Sequence, residues 1–141
     1  MNYLLDTNVI SEWTKDQPAL EVMTWLTTVD ENFLFLSVIS LAEIHNGLNL
    51  MPQGRRRERL TSWANAELFA RFDGRIIVVD ETIAAEWGRV MAQAQQGGTS
   101  IGAIDAFFAA TAVSKQLTLV TRNVRDFAST EVSVVDPWSA S

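Results

Sequence analysis

Short apolar stretches alternate with helical patterns along most of this chain, and this alternation constrains its fold more than any other feature. Residues 1–5, 33–36, 76–79 and 117–121 form apolar stretches of strand length, and residues 132–135 form a possible fifth. Between them, apolar residues recur at helical spacing. Strands that alternate with helices build parallel sheets through right-handed crossovers. The sequence therefore predicts an α/β fold with a parallel central sheet of about four to five strands, flanked by helices on both faces.

The length and composition of the chain indicate one folded domain. A chain of 141 residues is close to the usual size of one domain, about 150 residues, so we expect residues 1–141 to form a single domain. Hydrophobic residues make up 48% of the chain and charged residues 20%, which excludes a disordered protein. No apolar run reaches the ~18 residues of a membrane span, and the N-terminus lacks the basic segment of a signal peptide. We therefore expect a cytoplasmic protein without membrane contact.

The helix boundaries can be predicted from capping residues. Ser40 is predicted to cap a helix that runs to about residue 50, with Glu43 as its capping-box partner. Asp80 is predicted to cap a helix over residues 81–95. Amphipathic or buried patterns predict three further helices, at residues 18–28, 56–71 and 104–114.

The residue types that are absent or rare exclude several kinds of site. The chain has no cysteine, which excludes a disulfide framework, a zinc finger, an iron–sulfur site and a thiol nucleophile. Its single histidine, His45, argues against a Ser-His-Asp triad and against histidine-rich metal chemistry. Acidic residues number 17 against 11 basic ones, a net charge of −6. An acidic protein has no general attraction to nucleic acid, so a nucleic-acid substrate would require a local basic patch or a bound cation.

Four acids lie where predicted strands end or predicted helices begin. Asp6 follows the first strand, Asp126 follows the fourth strand by a few residues, and Glu43 and Asp105 lie in the first turns of helices. Functional groups collect beyond the C-terminal ends of parallel strands, so these acids are candidates for one site. Each also has a structural interpretation: a turn or N-cap for Asp6, a capping box for Glu43, a favourable interaction with the helix dipole for Asp105, and an exposed loop for Asp126.

Four segments of the chain resemble the motifs of PIN-domain ribonucleases, in particular the VapC-type toxins of type II toxin–antitoxin systems and their FitB-like relatives. They are LLDTNVISE at 4–12, SVISLAEIHNGL at 37–48, IGAIDAFFAATA at 101–112 and LVTRNVRDF at 119–127. The segments follow the family's order, span nearly the whole chain and each carry one of the four acids. The departures from the family pattern lie at packing or loop positions and leave the acids intact: Ser100, Phe107, Phe108 and Asp136.

The resemblance implies a PIN fold and a Mg²⁺- or Mn²⁺-dependent endoribonuclease that acts as a toxin. It places the metal-binding and catalytic residues at Asp6, Glu43, Asp105 and Asp126. It also implies supporting polar residues, which are Thr7, Thr121 and Asn123. The partners that it implies are an RNA substrate and a cognate antitoxin protein that blocks the site. A homodimer or a toxin–antitoxin hetero-oligomer is the expected assembly.

The chemistry of the available side chains agrees with this assignment. Mg²⁺ and Mn²⁺ prefer carboxylate and water ligands to imidazole or thiolate. Such an ion would activate a bound water and neutralise charge on the scissile phosphate, and an acid off the metal could orient or deprotonate that water. A bound cation would also bridge the acidic protein and the acidic RNA.

Two groups of arginines are candidates for contacts with RNA. Arg122 and Arg125 flank Asn123 and Asp126, so we expect them to contact phosphates. A second group crowds into the start of a predicted helix, where it could hold RNA or the antitoxin or simply be solvated: Arg55, Arg56, Arg57 and Arg59.

Two alternatives to the ribonuclease hypothesis remain open from the sequence. The first is a catalytically idle PIN module that serves only as a binding partner. The second is a metal-dependent phosphohydrolase of the haloacid-dehalogenase type, which also begins with an apolar strand and an aspartate. That class needs a second aspartate two residues after the first, where this chain has Asn8.

Overall fold

The apolar stretches form five short strands, which pair in parallel in the order β3-β2-β1-β4-β5. The computed structural model describes residues 1–139. Its strands are β1 (Tyr3–Leu5), β2 (Leu34–Ser37), β3 (Ile76–Ile77), β4 (Thr118–Val120) and β5 (Val134–Val135). The predicted parallel α/β sheet is confirmed.

Helices occupy most of the segments between the strands. The α-helices are α1 (Thr7–Ile10), α2 (Leu20–Thr28), α3 (Val38–Leu50), α4 (Arg55–Trp63), α5 (Phe69–Arg71), α6 (Glu81–Gln96) and α7 (Ala103–Lys115). Shorter 3₁₀ segments lie at Ser11–Thr14, Glu31–Phe33 and Val124–Phe127, and a π-helical stretch, Ala64–Leu68, joins α4 to α5. As predicted, the Asp80 carboxylate accepts a hydrogen bond at the start of α6, from the Ile83 N–H at 2.9 Å.

The sheet separates two hydrophobic clusters, because successive side chains of a strand point to opposite faces. Leu4 packs with Phe108 of α7 and with α6 on one face. Its neighbour Leu5 packs on the other face, with α2 and with Phe72. All four side chains are fully buried. Helices therefore cover both faces of the sheet, as the sequence predicted.

In the described residues 1–139, no helix combines the length and the apolar character needed to cross a membrane.

The predicted start of α3 is wrong. The helix begins at Val38, three residues earlier than expected, and its N-cap is Ser37, whose hydroxyl accepts the Ile39 N–H at 3.0 Å. Ser37 and Ser40 have the same capping chemistry, but β2 runs directly into α3, so the first serine takes the cap. Ser40 therefore lies inside the first turn of the helix, and the predicted capping box with Glu43 is not formed.

The third strand is shorter and more exposed than predicted. Only Ile76 and Ile77 pair with β2, and Val78 is 62% exposed. β3 lies at the edge of the sheet, and its partner β2 ends at Ser37, where the chain turns into α3. The apolar residues after Ile77 therefore have no strand to pair with.

Candidate active site

Asp6 is a buried carboxylate at the C-terminal end of β1, where it is 6% exposed. Its Oδ1 accepts the Thr7 backbone N–H at 2.6 Å, and its Oδ2 accepts the Thr121 hydroxyl at 2.7 Å. The pKa of Asp6 is raised to about 6, mainly because the carboxyl group is buried. The two hydrogen bonds lower the pKa, and the charges of Asp105 and Glu43 contribute to the rise. Asp6 thus caps α1, as its structural interpretation proposed, and is also an acid whose negative charge is poorly compensated.

A chain of hydroxyl groups orients Glu43, which projects from α3. The Thr7 hydroxyl donates to Glu43 Oε1 at 2.6 Å and lies 2.9 Å from the Ser40 hydroxyl. A hydroxyl has only one hydrogen, so Ser40 must be the donor to Thr7 when Thr7 donates to Glu43. Ser40 and Glu43 are three residues apart and share one face of α3. The serine that we expected to cap the helix therefore supports the carboxylate of the site.

Asp105 reaches the same region from the first turn of α7. The N-cap of α7 is Gly102, and no side chain of the described residues caps this helix end. Burial raises the pKa of Asp105, and the charges of Asp126 and Glu43 raise it as well. Asp105 therefore does not act as a cap, and its charge lies within reach of two other acids.

Asp126 is the most exposed of the four acids. It lies in the 3₁₀ segment that follows β4, and its backbone N–H donates to the Asn123 carbonyl at 3.0 Å. Its surroundings agree with the exposed loop of its structural interpretation, while its charge acts on Asp105. The structure thus brings the four acids from four separate elements to one rim of the sheet.

The donor set fits a hydrated divalent ion rather than a ready-made metal cage. Among residues 1–139, no three His, Cys, Asp or Glu side chains lie close enough together to enclose a metal. Mg²⁺ does not require such a cage, because it keeps several waters and is usually bound through one or two carboxylates. The Asp6 carboxylate is buried and has an elevated pKa. A bound hard cation would stabilise its ionised form.

The predicted supporting residues surround this rim in different ways. Thr7 and Thr121 donate to the acids directly, whereas Asn123 reaches the cluster through its backbone N–H, which donates to the Thr121 hydroxyl at 3.1 Å. Sequence reasoning missed Asn8, whose amide donates to the same hydroxyl at 3.4 Å and accepts the Arg122 backbone N–H at 3.4 Å. Its place two residues after Asp6 in the first motif was the available signal.

The two predicted RNA-contacting arginines are both exposed beside the rim. The Arg122 guanidinium lies 5.1 Å from the centre of the Trp138 ring. The buried Glu12 lies nearby: burial raises its pKa, but hydrogen bonds from Lys15 and a backbone N–H, together with the charge of Arg122, hold the pKa below its usual range. The Arg122 guanidinium therefore lies over the Trp138 ring, and its charge acts on the carboxylate of Glu12.

A groove of about 270 Å³ begins at the acidic rim and runs between α1, α3 and α4. Thr7 and Glu43 line one end of it, and Arg56 lies at its edge. We call it the side groove. His45, by contrast, is exposed on another side of α3, with its ring 5.3 Å from the ring of Phe69.

Comparison with known proteins gives one consistent family. The family model for the PIN domain matches residues 3–132. The chain is similar to the toxin FitB of Neisseria gonorrhoeae, with 36% identity over 135 residues that cover 96% of this chain and 97% of that protein. It is also similar to a VapC ribonuclease of Sinorhizobium fredii, with 35% identity over 96% of both proteins.

Solved structures of toxin–antitoxin complexes share the fold. The crystal structure of FitAcB from Neisseria gonorrhoeae superimposes with a TM-score of 0.94 at 36% identity and covers 98% of this chain and 99% of that one. The structure of FitAB bound to a DNA fragment gives a TM-score of 0.94 at 34% identity, with 99% and 97% covered.

Proposed function

This chain belongs to the PIN domain family, and from that premise we propose that it is a metal-dependent endoribonuclease and the toxin of a toxin–antitoxin pair. The observation that carries the proposal is the buried Asp6, which two hydrogen bonds hold at the rim. The charges of Asp105 and Glu43 raise its pKa there, and the charge of Asp126 raises the pKa of Asp105. Carboxylates with elevated pKa values cluster at functional sites. The similar proteins are named as a toxin and a ribonuclease.

We assign metal binding and catalysis to the four acids Asp6, Glu43, Asp105 and Asp126. When bound, Mg²⁺ or Mn²⁺ supplies an activated water and neutralises charge on the scissile phosphate. Hydrogen bonds from the Thr121 hydroxyl and the Thr7 N–H fix the orientation of the Asp6 carboxylate without a bound ion. Glu43 accepts the Thr7 hydroxyl and is held ready to bind the ion or to accept a proton from the attacking water.

The basic side chains beside the rim complete the proposed substrate site. Arg122 and Arg125 would bind RNA phosphates on either side of the scissile bond, since an acidic protein needs local positive charge to approach RNA. The Arg122 guanidinium lies beside the rim, over the Trp138 ring.

The proposed partners follow from the related complexes. The similar structures contain toxin–antitoxin pairs, and we propose that this chain likewise binds a cognate antitoxin that blocks its site. We further propose that residues 1–141 form one PIN domain, assembled as a homodimer or a toxin–antitoxin hetero-oligomer. RNA cleavage would place its action in the cytoplasm.

Cleavage of a fluorescent single-stranded RNA by metal-stripped protein, with Mg²⁺, Mn²⁺ or chelator added, tests the proposal. We expect cleavage with either ion and none in chelator. Full activity of rigorously metal-free protein would refute the mechanism. Failure to cleave RNA with any metal, together with intact antitoxin binding, would favour the idle module, and turnover of small phosphate esters instead of RNA would favour the phosphohydrolase.

A further inference from the structure

We infer that the side groove is a binding subsite for one unpaired nucleobase of the substrate RNA, next to the nucleotide whose phosphate reaches the acids. The inference rests on the proposed ribonuclease function and adds a specificity-determining site to it. Its first support is continuity, because Thr7 and Glu43 line both the groove and the acidic rim. A base in the groove would therefore belong to the strand that is being cleaved.

The walls of the groove have the chemistry that binds a base. Met51, Leu60 and the half-buried indole of Trp63 give an apolar side, and any of the four bases can stack on an aromatic ring such as that of Trp63. Ser11 and Thr14 line the groove as well. Hydroxyl groups both donate and accept hydrogen bonds, so they can contact the polar edges of a base.

Charge and size favour a nucleotide over a protein segment. Arg56 lines the groove and is exposed at the start of α4, where it can neutralise a phosphate that enters with the base. The groove volume of about 270 Å³ lies below the range of about 300–1,000 Å³ of pockets that enclose a drug-sized ligand. A planar base fits such a space, whereas an amphipathic helix needs anchors along two or more turns.

Two glycines allow a matched test of this inference. Gly47 lies within α3 and lines the groove, and a Cβ atom added there would have no heavy atom within 4 Å. Gly88 lies within α6, outside the groove, and has equally open surroundings. Leucine favours a helix more than glycine does, so both Gly47→Leu and Gly88→Leu are expected to fold. Only the first fills the groove.

The experiment measures binding of fluorescein-labelled single-stranded RNA decamers to the full chain, made inactive by Asp105→Asn. We expect Gly47→Leu to weaken binding at least tenfold and Gly88→Leu to change it less than twofold. Decamers that lack the base at one nucleotide should bind the Asp105→Asn chain less tightly only when the missing base is at one particular position. In the chain that also carries Gly47→Leu, removal of that base should weaken binding no further. Arg56→Ala should lower the salt dependence of binding by about 0.7 in log–log slope, and more than Arg55→Ala does.

Equal RNA binding by Gly47→Leu and Gly88→Leu would overturn the inference, and so would an abasic effect that persists in Gly47→Leu. Unchanged RNA binding by Gly47→Leu, together with lost binding of the antitoxin, would overturn it in favour of a protein-docking groove. Cleavage by the active chain is measured separately. If the chain with Asp105 intact binds RNA in the expected pattern but does not cleave it with any metal, the proposed function is refuted and the base subsite is supported.

Discussion

Carboxylates at the two ends of the sheet differ in their ion pairing and in the direction of their pKa shifts. At the C-terminal end of the strands, Asp6 and Asp105 are buried or half-buried among other acids, and burial raises the pKa of both. At the N-terminal end, Glu31 precedes β2 and is paired with Arg71 and Arg75. The hydrogen bond from Arg71 is the main cause that holds the pKa of Glu31 below its usual range.

The paired end is built as a structural clamp. Arg75 donates to the carbonyls of Glu31 at 2.6 Å and Leu34 at 2.7 Å, so it ties the segment before β3 to the segment before β2. Its guanidinium also lies 4.6 Å from the centre of the Phe72 ring. Asp80 is likewise paired, with Lys115 at the end of α7. The contrast teaches that the fold neutralises acids where they only stabilise and leaves them in excess where a cation and RNA are proposed to bind.

The strongest test of this contrast is the removal of one negative charge from the acids at the C-terminal end of the strands. We expect Asp105→Asn to lower RNA cleavage at least about 100-fold, because loss of a metal ligand should exceed the effect of losing a supporting residue. Asp105 does not cap α7, so the fold should survive. In chelator the variant should melt at the same or a higher temperature than the parent, since one repulsive charge is gone.

The matched control for this variant is Asp80→Asn, at a true N-cap in the paired end. Asparagine caps helices about as well as aspartate, and cleavage should stay at the parental rate. The Mg²⁺-induced rise in melting temperature should shrink for Asp105→Asn but not for the control, because linked stabilisation follows affinity. Parental cleavage and a parental Mg²⁺ response in Asp105→Asn would remove this residue from the site.

The pH dependence of stability should reveal the uncompensated charge of Asp6. Its pKa is about 6 in the folded protein and 3.8 ordinarily, so the folded state holds this proton more tightly than the unfolded state does. The free energy of unfolding should therefore fall as pH rises from 3.8 to 6, by on the order of 3 kcal/mol. Urea unfolding in chelator across this range measures the effect.

Mg²⁺ provides the control for this pH series. A bound cation stabilises the ionised carboxylate, so saturating Mg²⁺ should reduce the loss of stability on the alkaline side. Asp6→Asn should reduce the same pH dependence in chelator. A parental protein whose stability does not fall between pH 4 and 6, once the contributions of its other acids are measured in the variant, would show that Asp6 ionises normally.

Thr7→Val tests whether hydroxyl groups orient the acids. The substitution keeps the size of the side chain but removes the donor to Glu43 and the acceptor for Ser40. We expect metal affinity or cleavage to fall by about 10- to 100-fold, the usual cost of losing a supporting contact. Thr111→Val removes a buried hydroxyl that donates to the Phe107 carbonyl within α7 and should leave cleavage unchanged. Equal rates in both variants would argue against a positioning role for Thr7.

Glu31→Gln should have the smallest effect of these substitutions, and we expect it to lower only the stability of the fold. The Glu31 side chain is 36% exposed, so we expect a loss of about 0.2–1 kcal/mol of unfolding free energy at pH 7, with cleavage unchanged. Because the Glu31 pKa is lowered in the folded state, its contribution is present above its ordinary pKa and disappears as pH falls. Glu67→Gln, at an exposed position in the π-helical stretch, is the control. A lower cleavage rate in Glu31→Gln than in Glu67→Gln would mean that the two ends of the sheet are coupled.

Local patterns in the sequence predicted most of the strands and helices of the fold. The apolar stretches predicted the five strands, and the Asp80 cap and helical spacing placed α6 within one residue of its observed end. The capping pattern failed at α3, because Ser37 and Ser40 satisfy it equally well and only the direct junction with β2 decides between them. The length of β3 also depended on its partner, since an edge strand extends only as far as its neighbour pairs with it.

The candidate site divides in the same way. The four motifs indicated Asp6, Glu43, Asp105 and Asp126, because each acid lies at a recognisable position in its own short segment. The sequence by itself determined which elements form and which acids lie at their ends, since these depend on spacing along a few turns of chain. The contact between Thr121 and Asp6 joins residues 115 positions apart. Only the tertiary structure decided that contact, the burial that raises the Asp6 pKa and the placement of Trp138 against Arg122, because each requires the packing of segments that no local pattern relates.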